Sequence, residues 1–438
     1  MKMKHSIYLL CLLFAACNSG ETIEKFPKVV NQYDPSKPKE VTAILPTTGR
    51  IDDNFVIEGN LGKNVDEMRV YFDTRQALLL STDGTTLHGI VPKQNDGYNK
   101  ITVVLGEDSI ITDFEFRYRQ NQDIKMIAGQ TDDSKRAHWD GVVPIQDGSL
   151  FEGVFAYLRG IAVVADNSIL ATEEFGSMRL ISQIDEKVVT VLNPWSQQFG
   201  DGAVNKDRDI VYFQNMDNRS IFICRRTDGW VIEQIRPETN DWSGKTQGMT
   251  FGADQRYLYF RTHTGDFGRI DLETQGYPYE ELIKTEPDGA DITKICYSKV
   301  SDCFYSTRRD ENGIIKVWQD KTTGVWKQER YAGFNGGGTV EGNRLTQAKF
   351  TTPTGLCTDD DGNLYVTCAS SQVIMKVWLN SGYVEHVAGN KQRGGAFLVN
   401  GKPLDSTFRE PWAIAMDDEG NFIILAANDG GVRKYSIE

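Results

Sequence analysis

Short clusters of polar side chains recur in this sequence just after apolar runs: Glu173-Glu174, Asn215 with Asp217, His263 with Asp266, Arg308-Arg309-Asp310, and Asn428-Asp429. Paired carboxylates serve acid–base chemistry when their surroundings set their pKa values apart. Histidine with carboxylates also suits a divalent metal. Glu173, His263 and Asp266 are therefore the candidates for a catalytic or metal-holding centre, although solvated turns carry the same residue types. A second set is aromatic. Trp139, Trp195 and Trp242 fall in long polar stretches, and Trp412 follows Pro411 at the start of an apolar run. Flat aromatic faces flanked by polar groups suit stacking on sugar rings or on a partner protein. With Arg308 and Asn428 beside them as hydrogen-bonding groups, these four tryptophans make up the candidate ligand set.

Other patterns that could carry chemistry fall short. The run Asp359-Asp360-Asp361-Gly362-Asn363 resembles part of a calcium loop but has no later bidentate glutamate, and it reads as a hairpin turn. Gly336-Gly337-Gly338-Thr339 lacks the Gly-Lys-Ser/Thr that completes a phosphate loop. His138, His263 and His386 show no His-Glu-x-x-His spacing, and there is no Gly-x-Ser-x-Gly. No resident cofactor is expected on the leading reading. A divalent metal at the mouth of a central channel belongs to the enzymatic alternative.

The elements that position these residues are strands. Between Val41 and Tyr118 the apolar runs are short and separated by turn signals such as Gly59-Asn60, Asp83-Gly84 and Asp96-Gly97, the pattern of a small β-sandwich. From Asn121 onward the chain repeats. Phe155-Ala156-Tyr157-Leu158-Arg159-Gly160-Ile161, Phe350-Thr351-Thr352-Pro353-Thr354-Gly355-Leu356 and Phe408-Arg409-Glu410-Pro411-Trp412-Ala413-Ile414 align. Each leads into a strand, an aspartate-rich turn and a second strand. Repeats of roughly 40 to 50 residues indicate propeller blades. Weaker copies near Ile210, Tyr257 and Cys303 bring the expected total to six. The run from Ile124 to Ala128 repeats the ending of a blade before any full blade has occurred, so it is expected to supply the outer strand missing after Glu438 and to leave no open sheet edge. The connections 130–154, 194–205, 237–246, 334–349 and 390–407 are long and should share one face, where any pocket is expected.

Two family resemblances follow from these residues. Pro46, Gly49, the run Ile57-Glu58-Gly59-Asn60-Leu61-Gly62, Val91-Pro92 and Phe114-Glu115-Phe116-Arg117-Tyr118 resemble IPT/TIG immunoglobulin-like domains, which implies a spacer or interaction module. The phenylalanine, proline, glycine and aspartate-glycine-asparagine pattern of the repeats resembles NHL propeller blades. The expected fold is thus all-β: a small Ig-like β-sandwich over 40–120, then a six-bladed NHL-type β-propeller over 121–438 closed by strand 124–128.

Ahead of both, Lys2 and Lys4 precede an apolar run and Ala15-Ala16-Cys17, a secretory leader over 1–16 that is too short to span a membrane permanently. Its end resembles a lipobox, which implies lipidation of Cys17 and a polar tether over 17–39. Cys224, Cys296, Cys303, Cys357 and Cys368 follow, an odd number without Cys-x-x-Cys spacing, and are expected as free thiols. The formal net charge of −13 disfavours nucleic acid and anionic lipid surfaces as partners. The whole order resembles lipoproteins of glycan-foraging gut bacteria. That resemblance implies an outer-membrane lipoprotein of the cell envelope that binds a glycan or an envelope protein without catalysis and touches the membrane by its lipid anchor only. A propeller hydrolase or lyase is the alternative.

Overall fold

The computed structural model describes residues 33–438 except 95, 137–143, 175, 194–197, 217–219, 236, 238–244, 286–292 and 394. Contacts divide the chain into two compact units, Met1–Gln120 and Asn121–Glu438.

In the first unit, alternating side chains make half-buried strands. Along Gly97–Leu105, Asn99, Ile101, Val103 and Leu105 turn inward while the residues between them are more exposed. Two sheets share one core. One contains Glu40–Leu45, Asn54–Gly62, Gly84–Ile90 and Leu78–Thr82; the other contains Met68–Phe72, Gly97–Leu105 and Asp108–Tyr118 with two short edge strands. Edge-to-face ring pairs lie between and within the sheets, Phe55–Phe72 at 5.2 Å and Phe72–Phe116 at 5.0 Å.

The second unit is a β-propeller. Its described residues form six antiparallel sheets of four or five strands, numbered here as blades 1 to 6. Inner strands are Leu158–Val163, Ala203–Val204, Thr250–Phe251, Ile295–Ser298, Pro353–Thr358 and Pro411–Met416. They touch one another in ring order, the last meeting the first. Second strands such as Ile169–Glu173, Leu364–Cys368 and Phe422–Ala426 are buried on both faces because each blade is sandwiched between two others. Outer strands alternate instead, since one side meets water, as in the first part of Trp326–Gly333. Gln122–Gly129 pairs antiparallel with Gly431–Ile437, so blade 6 takes its outer strand from the start of the unit. Blades 1 and 5 each gain a short fifth strand, Gly148–Ser149 and Gly342–Asn343, within connections that the sequence pattern leaves as loops. Cys224, Cys296, Cys303, Cys357 and Cys368 are free thiols.

Candidate functional site

The axis of the propeller is closed by backbone and by an ion pair between Lys294 and Asp201. A Cβ on Gly160 would lie 2.1 Å from the Gly200 carbonyl oxygen, and one on Gly200 would lie 1.8 Å from that of Gln247, so the inner strands there approach as only glycine allows. Lys294, just before the blade 4 inner strand, is 1% exposed and donates from Nζ to Asp201 Oδ1 at 2.8 Å, the Arg159 carbonyl at 2.7 Å and the Trp412 carbonyl at 3.3 Å. Asp201 Oδ1 also accepts from the Ile161 amide at 3.0 Å. Burial pushes the Lys294 ammonium down and the Asp201 carboxyl up, each resisted by the charge of the other.

Two adjoining cavities share Arg309 and Trp412 in their walls. The smaller, about 200 Å³, is lined by Arg159, Gln198, Phe199, Gly200, Met216 and Gln247 as well. The larger, about 420 Å³, adds Asp310, Asn312, Thr352, Ala369, Ser370 and Glu410. Every blade contributes a lining residue, either from the start of an inner strand or from the loop after a second strand.

Trp412 is 6% exposed and carries the Arg159 guanidinium 4.0 Å from its ring centroid. Tyr157 stacks on the same guanidinium at 4.6 Å and meets Trp412 edge-on at 5.9 Å. The Nε edge of Arg159 is paired with Glu174, whose other oxygen accepts from Gln198 Nε2 at 3.0 Å. The Tyr157 hydroxyl donates to Glu410. Burial raises the Glu410 carboxyl above its ordinary range, opposed by a hydrogen bond from the Asn428 side chain.

The sequence candidates are distributed differently. Glu173 is fully buried, accepts from the Ala156 amide at 2.8 Å and from the Ser177 hydroxyl, and faces Arg179 at 3.6 Å; burial raises its pKa. Arg179 in turn donates to the carbonyls of Val154 and Gln146 and to Asp147, so this pair ties the connection before blade 1 to the blade. His263 Nδ1 accepts from the Lys245 amide at 2.6 Å. Asp266 is 1% exposed, accepting from the Thr285 amide at 3.0 Å and from Lys284 Nζ at 3.2 Å. None of these three lines either cavity, and no group of three metal-ligating side chains occurs among the described residues.

Of the candidate ligand set, Trp412 lines both cavities and Asn428 stands beside Glu410. Arg308 is buried and paired with Glu311, while its neighbour Arg309 is the one in the cavity walls. Trp139, Trp195, Trp242 and Cys17 lie outside the described residues. Arg159, Tyr157 and Glu410 were not singled out from sequence, although all three sit inside the repeated motif that precedes an inner strand.

No protein-family model matches the chain, and no curated protein does. Among solved structures, a protein of unknown function from Bacteroides thetaiotaomicron is similar with a TM-score of 0.80 at 28% identity, over 93% of this chain and 100% of that one. An auxiliary nutrient binding protein from Bacteroides thetaiotaomicron gives a TM-score of 0.61 at 20% identity, over 93% and 99% of the two chains. One from Bacteroides ovatus gives 0.60 at 19%, over 93% and 100%. The protein therefore shares its all-β, propeller-containing architecture with Bacteroides proteins, some of which are nutrient-binding.

Proposed function

We propose that this protein is an envelope-anchored, non-catalytic binding protein that takes a glycan at the mouth of its propeller. The observation that carries the reading is the pair of adjoining cavities, lined by residues of all six blades, whose amide, hydroxyl, guanidinium and carboxyl groups surround one tryptophan. Such a wall offers the donors and acceptors that sugar hydroxyls need. The architecture shared with two auxiliary nutrient binding proteins supports the same reading. The secretory leader and the lipobox-like end at Cys17 would place the chain at the outer membrane by a lipid anchor, with 17–39 as tether and the first unit as an IPT/TIG-type, Ig-like spacer. The propeller would be of the NHL type, and an envelope protein is the other class of partner the long connections would suit.

A hydrolase or lyase is the second reading, and Glu410 is what favours it. A half-buried carboxyl with a raised pKa, in contact with a tyrosine hydroxyl at a cavity wall, is a fair general acid. Calorimetric titration of the mature protein with a panel of plant and host oligosaccharides tests both. Binding of one glycan class without turnover, weakened at least ~10-fold by Arg309→Ala, is the expected result. Turnover of any panel member would transfer the case to Glu410, and no binding at all would end the glycan reading.

A further inference from the structure

The smaller cavity is lined by guanidinium groups in a protein that is acidic overall. Among the described residues its wall carries two guanidiniums, Arg159 and Arg309, and no carboxylate, with Arg309 paired at Nε to Asp310 of the neighbouring cavity at 3.4 Å, while the chain as a whole has a formal charge of −13. Three groups hold the Arg159 guanidinium: the Trp412 ring, the Tyr157 ring, and Glu174 along its Nε edge. Its backbone is fixed as well, because its carbonyl accepts from the buried Lys294. Among the described residues its Nη1 and Nη2 atoms donate no hydrogen bond, and the side chain is 25% exposed. A planar fork with two donors, already ordered by its neighbours, pays little further entropy to receive a planar anion. Gln198, bonded to Glu174, and Gln247 stand in the same wall and add amide groups around that position.

The geometry points to a carboxylate-binding subsite in the smaller cavity, formed by Arg159 and Arg309, that selects an acidic sugar as the ligand of this propeller. This rests on the glycan reading given above and narrows it to uronate-containing oligosaccharides. The larger cavity, which shares Arg309 and Trp412 with it, holds the uncharged side chains Asn312, Thr352 and Ser370 and suits the hydroxyls of the neighbouring sugars. Asp310 and Glu410 also lie in that wall, so the acidic group belongs in the smaller cavity.

The test titrates the mature protein with a galacturonate trisaccharide, a neutral galactose trisaccharide and a sulfated galactose trisaccharide. The uronate is expected to bind at least ~10-fold tighter than the neutral sugar, an advantage that weakens with added salt. Arg159→Gln should remove that preference, and Arg309→Ala, on a side chain 26% exposed and therefore gentle on folding, should reduce it. A thermal unfolding midpoint for each variant separates loss of the site from loss of the fold. Equal binding of uronate and neutral sugars would overturn the carboxylate subsite while leaving the glycan reading intact. Preference for the sulfated sugar alone would overturn the carboxylate assignment. Failure of all three probes, with other glycans bound in the wider panel, would also overturn it; failure of every glycan would remove both readings.

Discussion

Glu173 and Asp429 do equivalent work in two blades. Glu173 ends a second strand and Asp429 lies just beyond one, and each accepts from the backbone amide just after a repeat phenylalanine: Ala156 after Phe155, Arg409 after Phe408. Each is matched by an arginine of the third strand, Arg179 or Arg433, that lies over that phenylalanine and donates to carbonyls of the preceding connection. The carboxylate at this position therefore anchors a connection, and its polar type alone could not tell a clamp from a catalytic acid. The missing signal was the arginine, which sequence inspection passes over because it sits within an apolar strand. Arg159 was missed for a related reason, as it occupies one place of a motif read for its phenylalanine and glycine. The clamp in blade 6 makes stability depend on pH. Burial raises the Asp429 carboxyl from 3.8 to about 6 against the pull of Arg433, Arg409 and Arg136. The folded protein then holds this proton more tightly than the unfolded chain, so the contribution is full below about 4 and is lost as pH rises through about 6. The shift corresponds to about 3 kcal/mol. Unfolding midpoints taken from pH 4 to 7 should fall by this contribution in the natural protein relative to Asp429→Asn. Parallel profiles would show that Asp429 is ionised throughout.

At the scale of elements, legibility followed the length of the inner strand. Blades 5 and 6 have inner strands of six residues, Pro353–Thr358 and Pro411–Met416, and the repeat is clear in both. The inner strands of blades 2 and 3 have two residues each, Ala203–Val204 and Thr250–Phe251, too few to show a period. The fifth strands of blades 1 and 5 carry no apolar pattern because their pairing with an outer strand, not burial, creates them. What these short elements do retain is glycine where neighbouring blades converge. Gly200→Ala would force a Cβ to within 1.8 Å of a backbone oxygen that cannot rotate away, whereas a Cβ on Gly248 would find its nearest neighbour at an ordinary 3.5 Å. We expect Gly200→Ala to destabilise the propeller by about 3 kcal/mol or more and Gly248→Ala by less than about 1 kcal/mol. Denaturant midpoints of the two variants decide it, and similar values for both would mean that the inner strands can separate at little cost.

A ring of blades has no central core, and its stability depends on how the ring is closed at the rim and pinned at the axis. The rim closes where Gln122–Gly129 pairs with Gly431–Ile437, strands from opposite ends of the unit. The axis is pinned by Lys294, whose single ammonium joins blade 4 to Asp201 ahead of blade 2 and to the carbonyls of Arg159 in blade 1 and Trp412 in blade 6. Those two carbonyls belong to the residues that stack on each other at the cavity wall, so the pin also sets the floor of the site. A buried ion pair adds little net stability against an apolar replacement of the same shape, but removing one partner strands the other charge. Lys294→Met should therefore cost about 3 to 5 kcal/mol, because Asp201 would remain as an uncompensated carboxylate. Adding Asp201→Asn to that variant removes the charge and keeps an oxygen for the Ile161 amide, and much of the loss should return. The cycle of single and double variants, read by denaturant unfolding, measures the coupling directly. If the double variant were as unstable as the sum of the singles, the two groups would act independently, and the carbonyl contacts of Lys294 alone would be what holds the blades at the axis.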